Sequence, residues 1–347
     1  MHVGLVTPVG LSALATAMAV RAGVARFQSS DFFDDYGEPI PLAVVPPGRW
    51  SEEPFELVGS LELDDDAAEV DEVTDLAARI ELLGGEALRQ CLDAAVEGPA
   101  RPIFWIAAEP QDTAAAHTPE RRLDRLARRF GAAIDRPRSR CFTDGRAGGA
   151  AAIQAALGLL DESAAQEILL VGVDSYHDSE RLARLGAEGR LPGAEARDAI
   201  ALGEAAACLL LSRNPDGALA TIRGCGVASE PGHRYSDEPC LGNGLTESIR
   251  TALRGCAGAP IRTVYGTLNG ESRQAKEWGI AYIRNQRAFA ADCELLHPAD
   301  CIGDVGAASL PLLVGLAAIA AQRGHRPQPT LIWGASEYAG RGAVVIS

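Results

Sequence analysis

Short, continuous apolar runs alternate with longer helical stretches along this chain, and that alternation constrains its fold more than any other feature. The runs bounded by Pro102–Ala107, Glu167–Val173 and Ala206–Leu211 carry almost no polar residue. Strands buried on both faces have this composition, whereas a half-exposed strand alternates apolar with polar residues. The helical stretches between them, such as Asp75–Ala95, place leucines along one face. The pattern predicts an α/β protein with a parallel sheet covered by helices on both sides.

The alternation of strand-like runs and helices occurs twice along the chain. After the turn Asn214-Pro215-Asp216-Gly217, strand-like runs and helices follow one another again, ending in a predicted hairpin of Thr330–Trp333 and Ala343–Ile346. We therefore expect two pseudo-repeated halves, residues 1–213 and 214–347, without a flexible linker between them. In the second half the pattern also predicts a helix over Trp278–Phe289.

The net charge of the chain limits the classes of partner that it is expected to bind. The chain of 347 residues has a formal net charge of −15, whereas nucleic-acid and anionic-membrane surfaces are bound by basic proteins. We expect neither partner. The acidic residues concentrate in Ser51–Asp75, an insertion within the first half. This segment is interpreted as a solvated loop and helix start, or as a docking surface for a basic partner.

The cysteine spacing, the glycine pairs and the apolar stretches indicate whether a metal, a cofactor or a membrane is expected. Eight cysteines lie far apart with no CxxC pair, which predicts free thiols and no metal site. The glycine pairs lack the GxGxxG spacing of a dinucleotide site, so no cofactor is expected. The N-terminus lacks a signal-peptide pattern, and the longest apolar stretch, Ala307–Ala321, is too short to span a bilayer. These features predict a cytoplasmic protein.

Four segments, in order, resemble β-ketoacyl synthases of the thiolase-like superfamily. They are the opening VGLVTPVGLSALATAMAVRAGVARF, the elbow-like FTDGRAGGAAAIQAAL at Phe142–Leu157, the pair ILLVGVDSY and ALGEAAACLLL, and GDVGAASLPLLVGLA at Gly303–Ala317. Together they extend along nearly the whole chain. The resemblance implies the thiolase fold, with an α-β-α-β-α layered architecture. It also implies a dimer formed through the strand that precedes the elbow.

The catalytic positions of that family are changed here. A synthase presents a cysteine at a helix N-terminus, where the thiolate is stabilised and backbone N–H groups hold the oxyanion. On alignment that place falls on Arg146, which cannot be an acyl nucleophile because it stays protonated. One family histidine is absent from Val264–Trp278, and the place of the other falls on Asp304. The family's C-terminal glycine loop is altered to Ser336–Gly340. Cys141, five residues before Arg146, is a candidate relocated nucleophile or a buried structural thiol.

The replacements are polar and are expected to converge on one pocket. Burying such charges is costly unless they pair, so we predict that Arg146 pairs with Asp304 or Glu271. The set is either a salt-bridge network that fills a dead pocket or a new polar site. In the second case Asn269, Glu271 and Arg273 would hold a carboxylate or amide. His177, after a strand end, is a weaker candidate. The full polar set comprises Asp144, Arg146, Asn269, Glu271, Arg273, Glu277 and Asp304.

Three functional hypotheses follow from the resemblance. The first is a non-condensing synthase-like partner in an acyl-chain pathway of the fatty acid or polyketide type, comparable to chain-length factors. The second is an acyltransferase-like enzyme with altered chemistry that uses Arg146, Asn269, Glu271 and Asp304. The third is a true 3-oxoacyl-(acyl carrier protein) synthase with Cys141 as its nucleophile. The implied partners are an acyl carrier protein or acyl thioester, and either a second copy of this chain or an active synthase.

Overall fold

The computed structural model describes residues 2–46, 75–94, 98–110, 119–193, 196, 198–256 and 258–347. The predicted acidic loop therefore lies outside the described residues, except that a helix begins at Asp75. His117 also lies outside them. Within the described residues, no helix combines the length and the apolar character needed to cross a membrane.

The first sheet is built by residues 3–212 and has helices on both faces. Its strands are β1 (Val3–Val6), β2 (Gln28–Phe33), β3 (Pro39–Ala43), β4 (Ile103–Ile106), β5 (Arg140–Phe142), β6 (Glu167–Ser175) and β7 (Leu202–Ser212). The helices of this part are α1 (Ala13–Arg21), α2 (Asp75–Ala94), α3 (Pro119–Phe130), α4 (Gly148–Asp161) and α5 (Ser179–Ala187). The strand order is β5-β4-β6-β7-β1, with the β2-β3 pair beside the other end of β7.

The second sheet is built by residues 222–346. Its strands are β8 (Ile222–Ser229), β9 (Ile261–Gly266), β10 (Phe289–Leu296), β11 (Thr330–Ala335) and β12 (Gly340–Ile346), in the order β10-β9-β11-β12-β8. The helices are α6 (Asn243–Leu253), α7 (Ser272–Asn285), the short α8 (Ala299–Ile302) and α9 (Ser309–Gln322). The predicted hairpin at the end of the chain is present as antiparallel β11 and β12.

The two sheets repeat one topology. In each, two successive pairs are parallel and two are antiparallel, so β5-β4-β6-β7-β1 corresponds to β10-β9-β11-β12-β8 in both order and direction. The pseudo-repeat expected from the sequence is thus visible in the strand pairing. The division near Asn214 as a domain boundary stays a prediction.

Helices α4 and α9 lie between the sheets, and each contacts strands of both. Every residue of α9 from Ser309 to Ile319 is buried, which explains its apolar character all round. Helices α2 and α3 cover the outer face of the first sheet, where Trp105 and Val171 pack, and α6 packs on the second sheet. These layers confirm the α-β-α-β-α architecture. They also place the N-termini of α4 and α9 side by side, since a Cβ on Gly149 would lie 2.8 Å from Pro311 and 2.9 Å from Leu310.

Two expectations about elements were wrong, and two strands were not predicted. The sheets are mixed rather than parallel, because β7 and β12 run against their neighbours. Helix α7 begins at Ser272 and ends at Asn285, so Phe289 starts a strand instead of ending a helix. Strands β2 and β10 escaped detection because they are partly exposed and carry acidic residues, so neither forms a continuous apolar run.

Candidate functional site

The elbow before α4 has a tight backbone. Gly145 adopts φ +55°, a conformation that favours glycine, and a Cβ there would lie 3.0 Å from the Glu109 carboxylate. The turn directs Arg146 into the space between the sheets, where only 3% of the residue is exposed. The position that the family resemblance assigns to a nucleophile is therefore buried and occupied by a guanidinium.

Arg146 is saturated with partners. Its Nε donates to both oxygens of Asp304, at 3.0 and 2.8 Å. Its Nη1 donates to Glu337 Oε1 at 2.8 Å and its Nη2 to the Tyr176 hydroxyl at 3.0 Å. Burial by itself would lower the pKa of Arg146, but Asp304, Tyr176 and Glu337 together outweigh burial and hold that pKa well above its usual value. The guanidinium is a permanent cation.

Asp304 and Asn269 form the opposite side of this contact. Asn269 Nδ2 donates to Asp304 Oδ2 at 2.7 Å, and the Gly306 N–H donates to Oδ1 at 2.9 Å. A second Asn269 contact, from Nδ2 to Glu271 Oε2 at 3.2 Å, carries the network onward. The predicted convergence of the elbow, the Asn269 loop and the Asp304 turn is therefore observed.

Glu271 does not pair with Arg146, so that alternative of the pairing prediction was wrong. It accepts instead from Arg190, with Nε to Oε1 at 2.7 Å and Nη2 to Oε2 at 2.8 Å. Arg234 Nη2 also donates to Glu271 Oε1 at 2.7 Å. Glu271 immediately precedes α7, and its ion pairs among the described residues are with Arg190 and Arg234.

Glu337 joins the two parts of the network. Its carboxylate lies 2.8 Å from Arg146 Nη1, 3.0 Å from Arg190 Nη2 and 2.7 Å from Arg234 Nε. Burial alone would raise the pKa of Glu337, but the three arginines depress it far below its usual range. We call the three arginines and three carboxylates the Arg146 network: Arg146, Arg190, Arg234, Glu271, Asp304 and Glu337. Each of its arginines is ion-paired within it, and Glu188 also pairs with Arg190 at its edge, so it offers no uncompensated cation to an anionic ligand.

The altered C-terminal loop also closes the elbow. The Ala147 N–H, at the N-terminus of α4, donates to Ser336 Oγ at 2.9 Å, and the Ser336 hydroxyl donates to the Asp144 carbonyl. The Glu109 carboxylate accepts from the backbone N–H groups of Glu337 and Tyr338. A backbone donor that could have held an oxyanion is thus already satisfied.

The cavities that the described residues form beside the network are small. The cavity next to Asp304 measures about 20 Å³, and the one next to Arg234 and Glu337 about 10 Å³. Each has room for about one water molecule. An acyl chain or a pantetheine arm does not fit either cavity.

Cys141 lies on the other side of the first sheet from the Arg146 network. Its side chain packs with the cluster on the outer face of the first sheet, under α2 and α3, whereas Arg146 lies between the sheets. Burial raises the pKa of the Cys141 thiol to about 12, so the thiolate needed for attack is scarce near neutral pH. Both features argue against a relocated nucleophile.

The other predicted polar residues lie outside the network. Arg273 donates to the Gly232 carbonyl at 2.6 Å, and Glu277 pairs with Arg341. Asp144 lies on the elbow, where burial raises the pKa of its carboxyl. His177 packs edge-on against Phe32, with ring centroids 5.0 Å apart.

Sequence reasoning missed Arg190 and Arg234 as network members and Tyr176 as a partner of Arg146, and it noted Glu337 only as part of an altered loop. The two arginines lie in loops without a motif. Their one signal was charge balance: Asp304 and Glu271 could not both be neutralised by Arg146, so further cations were required nearby.

Comparisons with known proteins identify the fold of this chain through solved structures of low sequence identity. No protein family model and no curated protein matches the chain. Among solved structures, a chain of the ishigamide ketosynthase/chain length factor is similar with a TM-score of 0.75 at 16% identity, covering 100% of this chain and 97% of that one. A ketosynthase in complex with its chain length factor, from Xenorhabdus doucetiae, gives 0.74 at 16% identity, covering 99% and 96%. The ketosynthase from module 6 of the bacillaene synthase of Bacillus subtilis 168 gives 0.77 at 11% identity, covering 99% of this chain and 71% of that one. The chain therefore has the thiolase-like fold of ketosynthases and chain length factors, as the resemblance implied.

Proposed function

We propose that this chain is a non-condensing, ketosynthase-like subunit that pairs with an active synthase in an acyl-chain pathway of the polyketide or fatty acid type. The observation that carries the proposal is the Arg146 network. At the elbow, where a synthase presents its nucleophile, this chain has a permanent cation held by Asp304 and Glu337. Two of the three solved structures described above contain a chain length factor with a ketosynthase, and this supports the paired arrangement by analogy.

The alternative of an enzyme with altered chemistry is less well supported. Such an enzyme needs a cavity for its substrate and a polar group with unused hydrogen-bonding capacity. Each arginine of the Arg146 network is ion-paired within it, and the cavities beside it measure about 20 and 10 Å³. The catalytic roles predicted for Arg146, Asn269, Glu271 and Asp304 remain untested predictions.

Strand β5 is the proposed pairing edge. Among the described residues it pairs only with β4, on one side. The Phe142 carbonyl accepts from the Ala107 N–H across that pair. Because backbone groups alternate in direction along a strand, the N–H and C=O of Cys141 point to the open side. A partner strand would continue the sheet there.

Co-purification tests the pairing. We would co-express the chain with each ketosynthase of the source organism, with the tag on the ketosynthase only, and measure the complex by light scattering. We expect a 1:1 complex with one of them. Cys141→Pro removes the outward N–H and leaves the bonds to β4, so it should abolish the complex, whereas Cys141→Ala keeps that N–H and should preserve it. Equal complex formation by both variants, with folding confirmed by circular dichroism, would overturn the proposed edge, and a chain that forms only homodimers would overturn the heterodimer.

We also propose a cytoplasmic location, supported by the eight cysteines, all of which are free thiols. An acyl carrier protein is the proposed third component, engaged through the active synthase. It can be tested by adding a carrier protein to the purified complex. The expected result is that binding depends on the synthase.

A further inference from the structure

A cavity of about 380 Å³ lies between α1, α9 and the segment that follows β10. It is far larger than the cavities at the elbow. Small-molecule sites in proteins typically measure about 300–1,000 Å³. The cavity lies outside the Arg146 network and contains none of its members. Its size alone would permit a ligand that the elbow excludes.

The floor of the cavity is apolar. Leu316 and Ile319 of α9 line it, with Tyr265 at the end of β9 and Leu296 at the end of β10. Leu316, Ile319 and Tyr265 are buried. Met18 of α1 forms one wall, and 44% of this residue is exposed. An aliphatic chain bound here would remove apolar surface from water on both sides, which favours binding by about 25 cal/mol for each Å² buried.

One rim of the cavity is cationic. Arg21, His325 and Arg326 lie there, with Arg323 close by. Arg326 pairs with Glu294, but no carboxylate among the described residues lies within ion-pair distance of Arg21. Its Nη1 donates to His325 Nε2 at 3.2 Å. Slight desolvation and the arginines Arg21, Arg323 and Arg326 lower the pKa of His325, which is consistent with a neutral imidazole that leaves the Arg21 charge uncompensated.

On another part of the rim the Asp300 carboxylate already has a partner, because His297 Nδ1 lies 2.9 Å from Asp300 Oδ2. The cation and the apolar wall also belong to one helix face: Ala17 and Met18 lie four and three residues before Arg21. A chain lying along Met18 would therefore bring its end group to Arg21.

We infer that this cavity is a binding site for a small amphipathic anion, namely an aliphatic chain that ends in a carboxylate. The chain lies on Leu316, Ile319 and Leu296, and the carboxylate pairs with Arg21. This site is independent of the proposed pairing with a synthase, since it uses neither β5 nor the elbow.

The sequence offers a selective probe of the cavity. The chain contains only two methionines, Met1 and Met18, so labelling with [methyl-¹³C]methionine gives at most two protein methyl signals, assigned with Met18→Leu. We would titrate the labelled chain with decanoate below its aggregation concentration. The Met18 signal is expected to shift in a saturable way, while any Met1 signal stays constant.

Neutral decanol and two variants separate the apolar part of the site from the charged part. Because Arg21 is exposed to solvent, its ion pair is screened, and decanol should bind about fivefold more weakly than decanoate. Arg21→Gln should remove that difference, whereas Arg254→Gln, at an exposed position outside the cavity, should keep it. Ala320→Phe, which places a ring in the cavity from the half-buried end of α9, should abolish the Met18 shift for both ligands.

The inference is overturned if decanoate leaves the Met18 signal unchanged, or if Ala320→Phe binds decanoate as tightly as the natural chain while its thermal unfolding is normal. Equal affinity for decanol and decanoate would overturn the assignment of the carboxylate to Arg21. Because the assay uses this chain alone, none of these outcomes depends on whether it pairs with a synthase.

Discussion

Replacing Arg146 by methionine, which has a similar length but no charge, tests the Arg146 network most sharply. The guanidinium makes four hydrogen bonds, two to Asp304, one to Glu337 and one to Tyr176. After its loss Glu337 still has two arginines within 3.0 Å. Asp304 keeps only Asn269 and the Gly306 N–H among its described partners, and neither carries a charge.

The cost of Arg146→Met therefore falls on Asp304. Its side chain is 1% exposed, and a buried charge that loses its partner destabilises a protein by about 3–5 kcal/mol. The double variant Arg146→Met with Asp304→Asn removes that stranded charge. We expect it to be about 2 kcal/mol more stable than Arg146→Met alone, because removing the stranded charge recovers part of its cost.

Urea unfolding followed by the fluorescence of the four tryptophans measures these differences. Arg254→Met is the control, because 71% of the Arg254 side chain is exposed and surface changes of this kind cost within about 0.5 kcal/mol. A loss below about 1 kcal/mol for Arg146→Met would refute the closed network. So would a double variant no more stable than the single one.

Four further outcomes are expected. Arg146→Cys should not be acylated by an acyl thioester, because the adjoining cavity measures about 20 Å³; a mass increase of one acyl group would contradict this. Glu337 has a depressed pKa, so its stabilising contribution is present above about pH 4.5 and is lost as the pH falls; between about pH 5 and pH 3 the free energy of unfolding should fall less steeply in Glu337→Gln, and parallel profiles would count against the ion pairs. Cys141, with its pKa raised to about 12, should stay unmodified by iodoacetamide at about pH 8 in a peptide map, where glutathione in the same tube reacts; rapid labelling would show a reactive thiol. Gly306→Ala should lower the melting temperature more than Gly324→Ala. Both positions have positive φ, but only at Gly306 would the new Cβ collide with the buried Asp174. Equal decreases in melting temperature would refute the close packing of Gly306 against Asp174.

The sequence was sufficient for the elements that are buried on all sides. The runs in β4, β6 and β7 and the all-apolar α9 are continuous because both of their faces pack against other layers. Strand direction was not predictable in this way. A strand such as β7, buried on both faces, has the same composition whether its neighbours run parallel or antiparallel to it.

The candidate site was predictable where a motif fixed the backbone. The elbow placed Arg146, the glycine turn placed Asp304, and the rule that buried charges pair linked the two. Arg190 and Arg234 come from loops whose paths depend on tertiary packing, so no spacing in the sequence indicated them. Glu271 was offered as the alternative partner of Arg146, because its real partners, Arg190 and Arg234, had not been identified.

Intact-protein mass spectrometry of the complex with its synthase tests the central proposal most directly. The complex would be incubated with an acyl thioester substrate, and the masses of the two subunits would be measured separately. A non-condensing subunit predicts that the synthase gains one acyl group while this chain keeps its mass. An acyl group on this chain, at Cys141 or at any other cysteine, would contradict the account.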